Sequence, residues 1–271
     1  MKQVFKKILL SLKLLDSLRY LQSLFSKISL SNLQKEIAYR KNGLPDRFPT
    51  PPSKLIFLII RSVWSFEYWH SGLAIINDLQ SHCERLNLNS KQFKRILDFG
   101  CGCGRLTRQL TRFKNAEVYG TDYNEHLIAW SSKYLTNSHY TCNNLKPPLA
   151  YQTEYFDLVV ARSVFTHLDY QLQFDWIDEL YRIITPGGYL YFTTHSELST
   201  LSLGEHLIHR FKKEGFVSQN SDLQGDNKCA VYQSKDWVYT NLAKKFSVVE
   251  YIPGRLEEHL GQDIYIFQKP K

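Results

Sequence analysis

The run Arg95-Ile-Leu-Asp-Phe-Gly-Cys-Gly-Cys-Gly-Arg105 constrains this chain more than any other stretch. A short apolar run, Ile96-Leu97, ends in an acid, Asp98, and glycines follow at alternate positions 100, 102 and 104. Glycine has no Cβ, so the backbone there can turn sharply and pass close to a ligand. A strand, a glycine turn and a helix N-terminus together make a nucleotide-type site. A dinucleotide fingerprint reads G-x-G-x-x-G. This turn reads D-x-G-x-G-x-G, which disfavours a nicotinamide dehydrogenase.

Alternating strand and helix signals continue after the turn, implying a parallel sheet with crossover helices. Expected strands are Ile96–Phe99, Glu117–Thr121, His139–Cys142, Phe156–Ala161 and Tyr189–Thr194, with Phe246–Tyr251 and Asp263–Gln268 as a closing antiparallel pair. The expected fold is therefore a seven-stranded, doubly wound, mostly parallel α/β domain. Helices are expected over Arg105–Phe113, Glu125–Tyr134, Gln171–Ile184 and Ser234–Lys245. Residues 198–228 read as a polar, irregular insertion over the active face. Two helical segments, 53–65 and 71–87, precede the first strand, and Tyr68, His70 and Gly72 are placed to form a lid.

Residues 3–30 read as one amphipathic helix, with Val4, Ile8, Leu15, Leu18, Leu21, Phe25 and Ile28 at helical spacing. Lys6, Lys7, Lys13, Arg19 and Lys27 are interspersed. Such a helix suits an anionic membrane surface or a protein partner; packing on its own domain or an oligomer contact are the alternatives. Leu44-Pro-Asp-Arg-Phe-Pro-Thr-Pro-Pro52 is a proline-punctuated linker. The expected division is thus an arm and linker over 1–50 and a catalytic domain over 51–271.

The net charge of +8 is unevenly placed. Residues 1–62 hold twelve Lys or Arg and three acids, and the remainder holds 22 and 23. The catalytic part shows no basic stripe with interleaved aromatics, which argues against a nucleic-acid substrate. The five cysteines are scattered and odd in number, no disulfide framework, so a reducing cytoplasm is the default. Cys101 and Cys103 lack His or Cys companions at zinc spacing, and no metal is expected. No apolar run reaches the ~18–20 residues needed to span a bilayer. No small-x-small cleavage site follows the N-terminal apolar stretch, so a secretory signal is not expected. A G-x-S-x-G elbow and a G-x-x-x-x-G-K-[ST] phosphate loop are both missing from the sequence.

Asp122 ends the second strand about 20 residues beyond the turn, where an acid can reach a ribose diol. Its alternative is a helix N-cap. Tyr123 follows and can stack on a base. Asn143 and Asn144, after the third strand, can bond an adenine edge or simply make a turn. His167 follows the fourth strand and His195 the fifth. Either imidazole can act as a general base toward a hydroxyl, or simply orient its loop. Trp130 reads as a core residue.

The turn at 98–105, Phe156-Asp-Leu-Val-Val-Ala-Arg-Ser-Val-Phe-Thr-His-Leu168 and Leu180-Tyr-Arg-Ile-Ile-Thr-Pro-Gly-Gly-Tyr-Leu190 together resemble class I S-adenosylmethionine-dependent methyltransferases. With Pro147-Pro148 and Gly261-Gln-Asp263, the chain is similar to those found beside glycosyltransferases in bacterial surface-polysaccharide clusters. The resemblance implies S-adenosylmethionine as cofactor, contacted by Asp98, Gly100, Cys101, Gly102, Gly104, Arg105, Asp122, Tyr123, Asn143, Asn144 and Ser163. Asp98 would counter the cofactor's amine. The implied reaction is methyl transfer to a hydroxyl or amine of a small-molecule or glycan acceptor, in the cytoplasm or at a membrane surface. A non-catalytic, cofactor-binding scaffold of a membrane-associated glycan assembly is the competing reading. Oligomeric state and acceptor identity are left open.

Overall fold

The computed structural model describes residues 14–225, 228–254 and 261–271. The central strand, β1 (Arg95–Phe99), is buried along almost its whole length. Alternate side chains of a strand point to opposite faces. Leu97 and Phe99 join one apolar cluster and Ile96 the other. A strand covered on both faces must sit inside a parallel sheet between helical layers. It does: β1 pairs in parallel with β2 (Glu117–Asp122) on one side and β4 (Phe156–Ala161) on the other.

Among the described residues the sheet has nine strands, with the order β3-β2-β1-β4-β5-β7-β6, and β9 pairing β5 and β8 off this path. β3 is His139–Cys142, β5 Ile184–His195, β6 Phe216–Gln219, β7 Ala230–Gln233, β8 Ser247–Ile252 and β9 Gln262–Gln268. The helices are α1 (Leu14–Phe25), α2 (Leu30–Asn42), α3 (Ser53–Ile60), α4 (Ser65–Arg85), α5 (Thr107–Leu110), α6 (Glu125–Tyr134), α7 (Tyr170–Ile183), α8 (Glu205–Glu214) and α9 (Lys235–Asn241). One layer packs Ile75, Ile76 and Leu79 of α4 and Leu110 of α5 on Ile96, Leu158 and Val160. The other packs Trp176, Ile177 and Leu180 of α7 and Val238 of α9 on Leu97, Val159 and Phe192. The strand order reverses at β1, between β2 and β4. By the rule for open α/β sheets, the crevice at that switch point is where a ligand binds.

Three expectations change. The sheet gains two strands over the expected seven, because residues 198–228 are not irregular: they hold α8 and β6, and β6 pairs antiparallel with β7. Each strand has only four residues, too few for a period-two pattern to stand out of a polar stretch. β7 joins β5 through His195 opposite Tyr232. Second, among the described residues the expected helix 3–30 stops at Phe25, and α2 starts anew at Leu30. Residues 1–13 lie outside the described part. Beyond them the chain breaks at Lys27 (φ 60°), and Ser29 caps α2 by accepting from Asn32 N. Third, α5 covers only Thr107–Leu110 of the helix expected over 105–113.

The proline-rich stretch is fixed rather than loose. The buried Arg108 donates to both carboxylate oxygens of Asp46, at 2.7 and 2.5 Å, and to the carbonyls of Phe48 and Pro49. Among the described residues no helix is long and apolar enough to cross a membrane.

Candidate active site

A cavity opens at the carboxyl ends of β1, β2 and β4. Of the residues expected at the site, Gly100, Arg105, Asp122, Tyr123, Asn143, Asn144, Ser163 and His167 line it. Asp98, Cys101, Gly102, Gly104 and His195 do not; they form the layer behind the wall.

That layer explains the glycine turn. Gly100, Gly102 and Gly104 all have positive φ (76°, 58° and 81°), a region open to glycine at little cost. Side chains already fill the space beside them. A Cβ at Gly102 would lie 2.2 Å from Ile59 Cδ1, and one at Gly104 2.3 Å from Leu135 Cδ1. Tyr68, which donates to Cys103 O at 2.7 Å, is buried beneath the turn. Gly72 permits α4 to approach, since a Cβ there would sit 2.5 Å from Arg105 O. The expected lid of Tyr68, His70 and Gly72 is therefore a floor: Tyr68 is inside, and His70 is exposed with Nδ1 on Phe66 O. Trp130 packs, partly buried, on the Tyr68 cluster as expected.

Asp98 is 2 % exposed and accepts from Thr107 Oγ1 at 2.6 Å. Burial lifts its carboxyl to about 6, against the pull of Thr107 and Arg105. Asp122 is the staple of the site. Its Oδ2 accepts from Gly102 N and its Oδ1 from Asn124 N, both at 2.9 Å. The N-cap of α6 is Asn124, accepting from His126 N and Leu127 N, so the capping alternative for Asp122 falls away. Asn143 is held by Thr121 Oγ1, which donates to its Oδ1 at 2.8 Å.

Arg105 is 8 % exposed, and no hydrogen bond or ion pair to its guanidinium is found among the described residues. Burial first, and then repulsion from Arg162, lower its pKa to about 10. A buried cation on a cavity wall without a bonded anion is costly unless a ligand supplies one.

The opposite wall is built from distant parts of the chain. Ser163 has φ 59°, unfavourable for a residue with a Cβ. Its N–H donates to Thr193 Oγ1 at 2.8 Å, and its hydroxyl to Gln262 Oε1 at 2.9 Å. Thr193 donates to the same Gln262 oxygen. His167 Nδ1 lies 2.6 Å from Cys229 O, and His195 Nδ1 2.8 Å from Val231 O. A carbonyl only accepts, so each Nδ1 carries a proton, and in the neutral tautomer of either ring the acceptor nitrogen is Nε2. The rings stand edge to face, with centroids 6.4 Å apart. Burial lowers the His195 pKa, keeping that ring neutral.

The sequence reading missed Leu58, Ile59, Arg61, Arg162, Leu145, Trp176 and Gly225, which also line the cavity. Arg61 is the left-handed C-cap of α3, a position with no local signal other than the end of an apolar run. Trp176 Nε1 donates to Leu145 O at 3.0 Å, joining two wall residues from different crossovers.

Residues 97–192 match the model of a methyltransferase domain family. Over 108 residues the chain is 36% identical to a malonyl-[acyl-carrier protein] O-methyltransferase of Enterobacter lignolyticus, covering 40% of this chain and 41% of that protein. It is 27% identical over 202 residues to a mitochondrial ubiquinone biosynthesis O-methyltransferase of Dictyostelium discoideum, 59% of this chain and 60% of that one. The chain thus spans about two fifths and three fifths of the length of these relatives. An S-adenosylmethionine-dependent methyltransferase structure from Clostridium acetobutylicum superposes with a TM-score of 0.54 at 13% identity, covering 81% of this chain and 98% of that one. The shared fold is the Rossmann-like methyltransferase fold.

Proposed function

Taking residues 97–192 as a methyltransferase domain, set in the class I S-adenosylmethionine-dependent fold, we propose that the protein moves a methyl group from S-adenosylmethionine to a hydroxyl, or an amine, of a small-molecule or glycan acceptor. One observation carries this reading. A single cavity brings together a buried cation, Arg105, with no bonded anion among the described residues, a strand-end carboxylate, Asp122, and an imidazole held through Nδ1, His167.

The residues present fit the cofactor. Arg105 supplies the counter-charge that a carboxylate seeks, and Asp98, behind Gly100, balances an ammonium group. Asp122 keeps spare lone pairs on both oxygens for a vicinal diol, while its two backbone bonds fix its direction. When bound, S-adenosylmethionine supplies a methyl already activated on a sulfonium. The protein's part is to align the acceptor in line with that methyl, exclude water and take the acceptor's proton. His167 is the residue assigned to the proton, because it lines the cavity and its Nδ1 is engaged by Cys229 O, which leaves the accepting role to Nε2 of the neutral ring. The strand β7 carbonyl at Val231 and the neighbouring Cys229 carbonyl hold the two rings from outside.

The relatives' names point to different chemistry, malonyl-[acyl-carrier protein] in one and ubiquinone biosynthesis in the other, so they support the reaction and leave the acceptor open. The test is methyl transfer from labelled cofactor to a panel of glycan, small-molecule hydroxyl and amine acceptors, with calorimetry of cofactor and NAD alongside. Cofactor binding with turnover on a hydroxyl or amine is expected. NAD binding would overturn the cofactor assignment. Cofactor binding with no turnover on any acceptor would favour a scaffold.

A further inference from the structure

Among the described residues, α1 and α2 each carry a row of large apolar side chains that stay exposed. On α1 these are Leu18, Leu21 and Phe25, at i, i+3 and i+7; on α2 they are Leu30, Leu33 and Ile37, at the same spacing. Phe25 is 73 % exposed, Leu30 75 % and Ile37 65 %. Single exposed leucines need no explanation, but a row of them on each of two successive helices does.

These rows cannot rotate into the domain without breaking what holds the helices. The opposite face of α1 presents Ser23, whose hydroxyl accepts from Val63 N at 3.1 Å, and Tyr20, whose ring packs edge-on to Phe57 at 5.4 Å. Trp64 Nε1 donates to Ser26 O at 3.0 Å. On α2, Glu36 Oε2 accepts from both Ser65 N and Ser65 Oγ, at 2.8 and 2.5 Å. The helices are therefore docked by one face, with the apolar rows turned out.

We propose that this face rests on an anionic lipid bilayer. Charge selects the occupant. The first 62 residues hold twelve basic side chains against three acidic ones, while the rest of the chain is nearly balanced. Arg19 and Lys35 flank the rows and are exposed. A second copy of the chain would bring two segments of like net charge together, which opposes association. An anionic bilayer accepts both the apolar rows and the surrounding cations. The docked face of α1 is tied to the cavity wall. Asp16 of α1 pairs with Lys228 at 2.7 Å and with Arg61 of the cavity wall at 3.4 Å, and the cavity residue Leu58 is 41 % exposed.

The experiment is co-sedimentation of the full chain with vesicles of phosphatidylcholine, alone or mixed with phosphatidylglycerol, at low and high salt. Binding to the mixed vesicles alone is expected, and it should weaken as salt shortens the screening length from ~10 Å at 0.1 M to ~3 Å at 1 M. Phe25→Glu with Ile37→Glu, and separately Arg19→Glu with Lys35→Glu, should each lower partitioning by about tenfold or more. All four positions are exposed, and unchanged cofactor binding by calorimetry will show that the variants fold. That measurement also separates this inference from the methyl-transfer reading, which stands or falls on turnover. No binding to mixed vesicles, or equal binding to both kinds, would overturn the proposal. So would a dimer in sedimentation velocity that the Phe25→Glu, Ile37→Glu variant abolishes, because the face would then belong to a second copy.

Discussion

The two walls of the cavity are made in opposite ways. The wall at β1 and β2 comes from one stretch of chain. Asp98, the glycine turn, Arg105, Asp122 and Asn124 fall within 27 residues of sequence, and Asp122 closes them with two backbone bonds. The wall at β4 and β5 is stitched from far away. Ser163 bonds a residue 99 positions on, His167 one 62 on and His195 one 36 on. A local wall can be fixed by backbone geometry alone, whereas a wall of distant parts depends on the whole sheet being assembled. The first suits a cofactor of constant shape. The second suits an acceptor site, which has to differ from one such protein to the next.

The sharpest way to break this contrast is His167→Ala. If the distant wall serves acceptor chemistry, turnover should fall by ~100–10,000-fold, the range for losing a general base. Cofactor affinity by calorimetry should stay within about twofold of normal, since less than ~0.5 kcal/mol should change away from the contacts. A variant that binds cofactor poorly would put His167 on the cofactor side and dissolve the division.

Asp98→Asn tests the local wall next. Burial holds this carboxyl at about 6, above the usual 3.8. In the folded protein it therefore binds a proton more readily than in the unfolded chain. The folded state is thus penalised as pH rises from about 4 to 6, and the full penalty is present at neutral pH. Asparagine removes the charge, so the variant should gain ~1–3 kcal/mol of unfolding free energy at pH 7.5 and little at pH 4. Cofactor binding should drop by less than the ~1.5–3 kcal/mol of a direct charged hydrogen bond, because Asp98 acts from behind Gly100. In the normal protein, affinity should weaken below pH 6 as Asp98 takes up its proton. Urea titrations and calorimetry at several pH values check both. Equal stability of variant and parent at all pH values would remove Asp98 as a stored cost.

Asp122→Ala should weaken cofactor binding by ~1–3 kcal/mol. The structure adds a second effect, because the variant frees Gly102 N and Asn124 N as well. Asp122→Asn keeps an acceptor for one of them. It should restore part of the stability by thermal melting but less of the affinity, if the carboxylate itself meets the ligand. Full recovery of affinity by Asn would leave the residue a purely structural staple.

How much could be read from the sequence follows the same division. The turn, Asp122 and the β4 and β5 strand ends were readable because each is a local pattern with a local consequence. The β6–β7 hairpin was not, because its strands are four residues long and owe their burial to neighbours such as Phe211, Leu203 and Trp237, which no nearby periodicity announces. Arg61 and Trp176 reach the cavity through the packing of α3 and α7, again a matter of tertiary placement. The lid expected from Tyr68 and Gly72 became a floor for a similar reason: Gly72 marks a close approach of backbone, and the sequence does not say to what.

The smallest expected effect belongs to Gln262, and it asks whether the distant wall is held by the partner it shows. Its Oε1 takes the hydroxyls of both Ser163 and Thr193, and it is 8 % exposed. Ser163 sits at φ 59°, a conformation a serine keeps only when its surroundings enforce it. Gln262→Leu leaves two buried hydroxyls without that acceptor, at a cost of ~1–3 kcal/mol in unfolding free energy. The backbone at Ser163 then has one fewer constraint, so turnover should fall by no more than about tenfold, mainly through the acceptor's KM. Gln262→Glu keeps acceptor oxygens in place and should recover most of both losses at neutral pH. If Leu costs nothing, the strained serine is held by the Thr193 bond alone, and the wall depends on β5 without any help from β9.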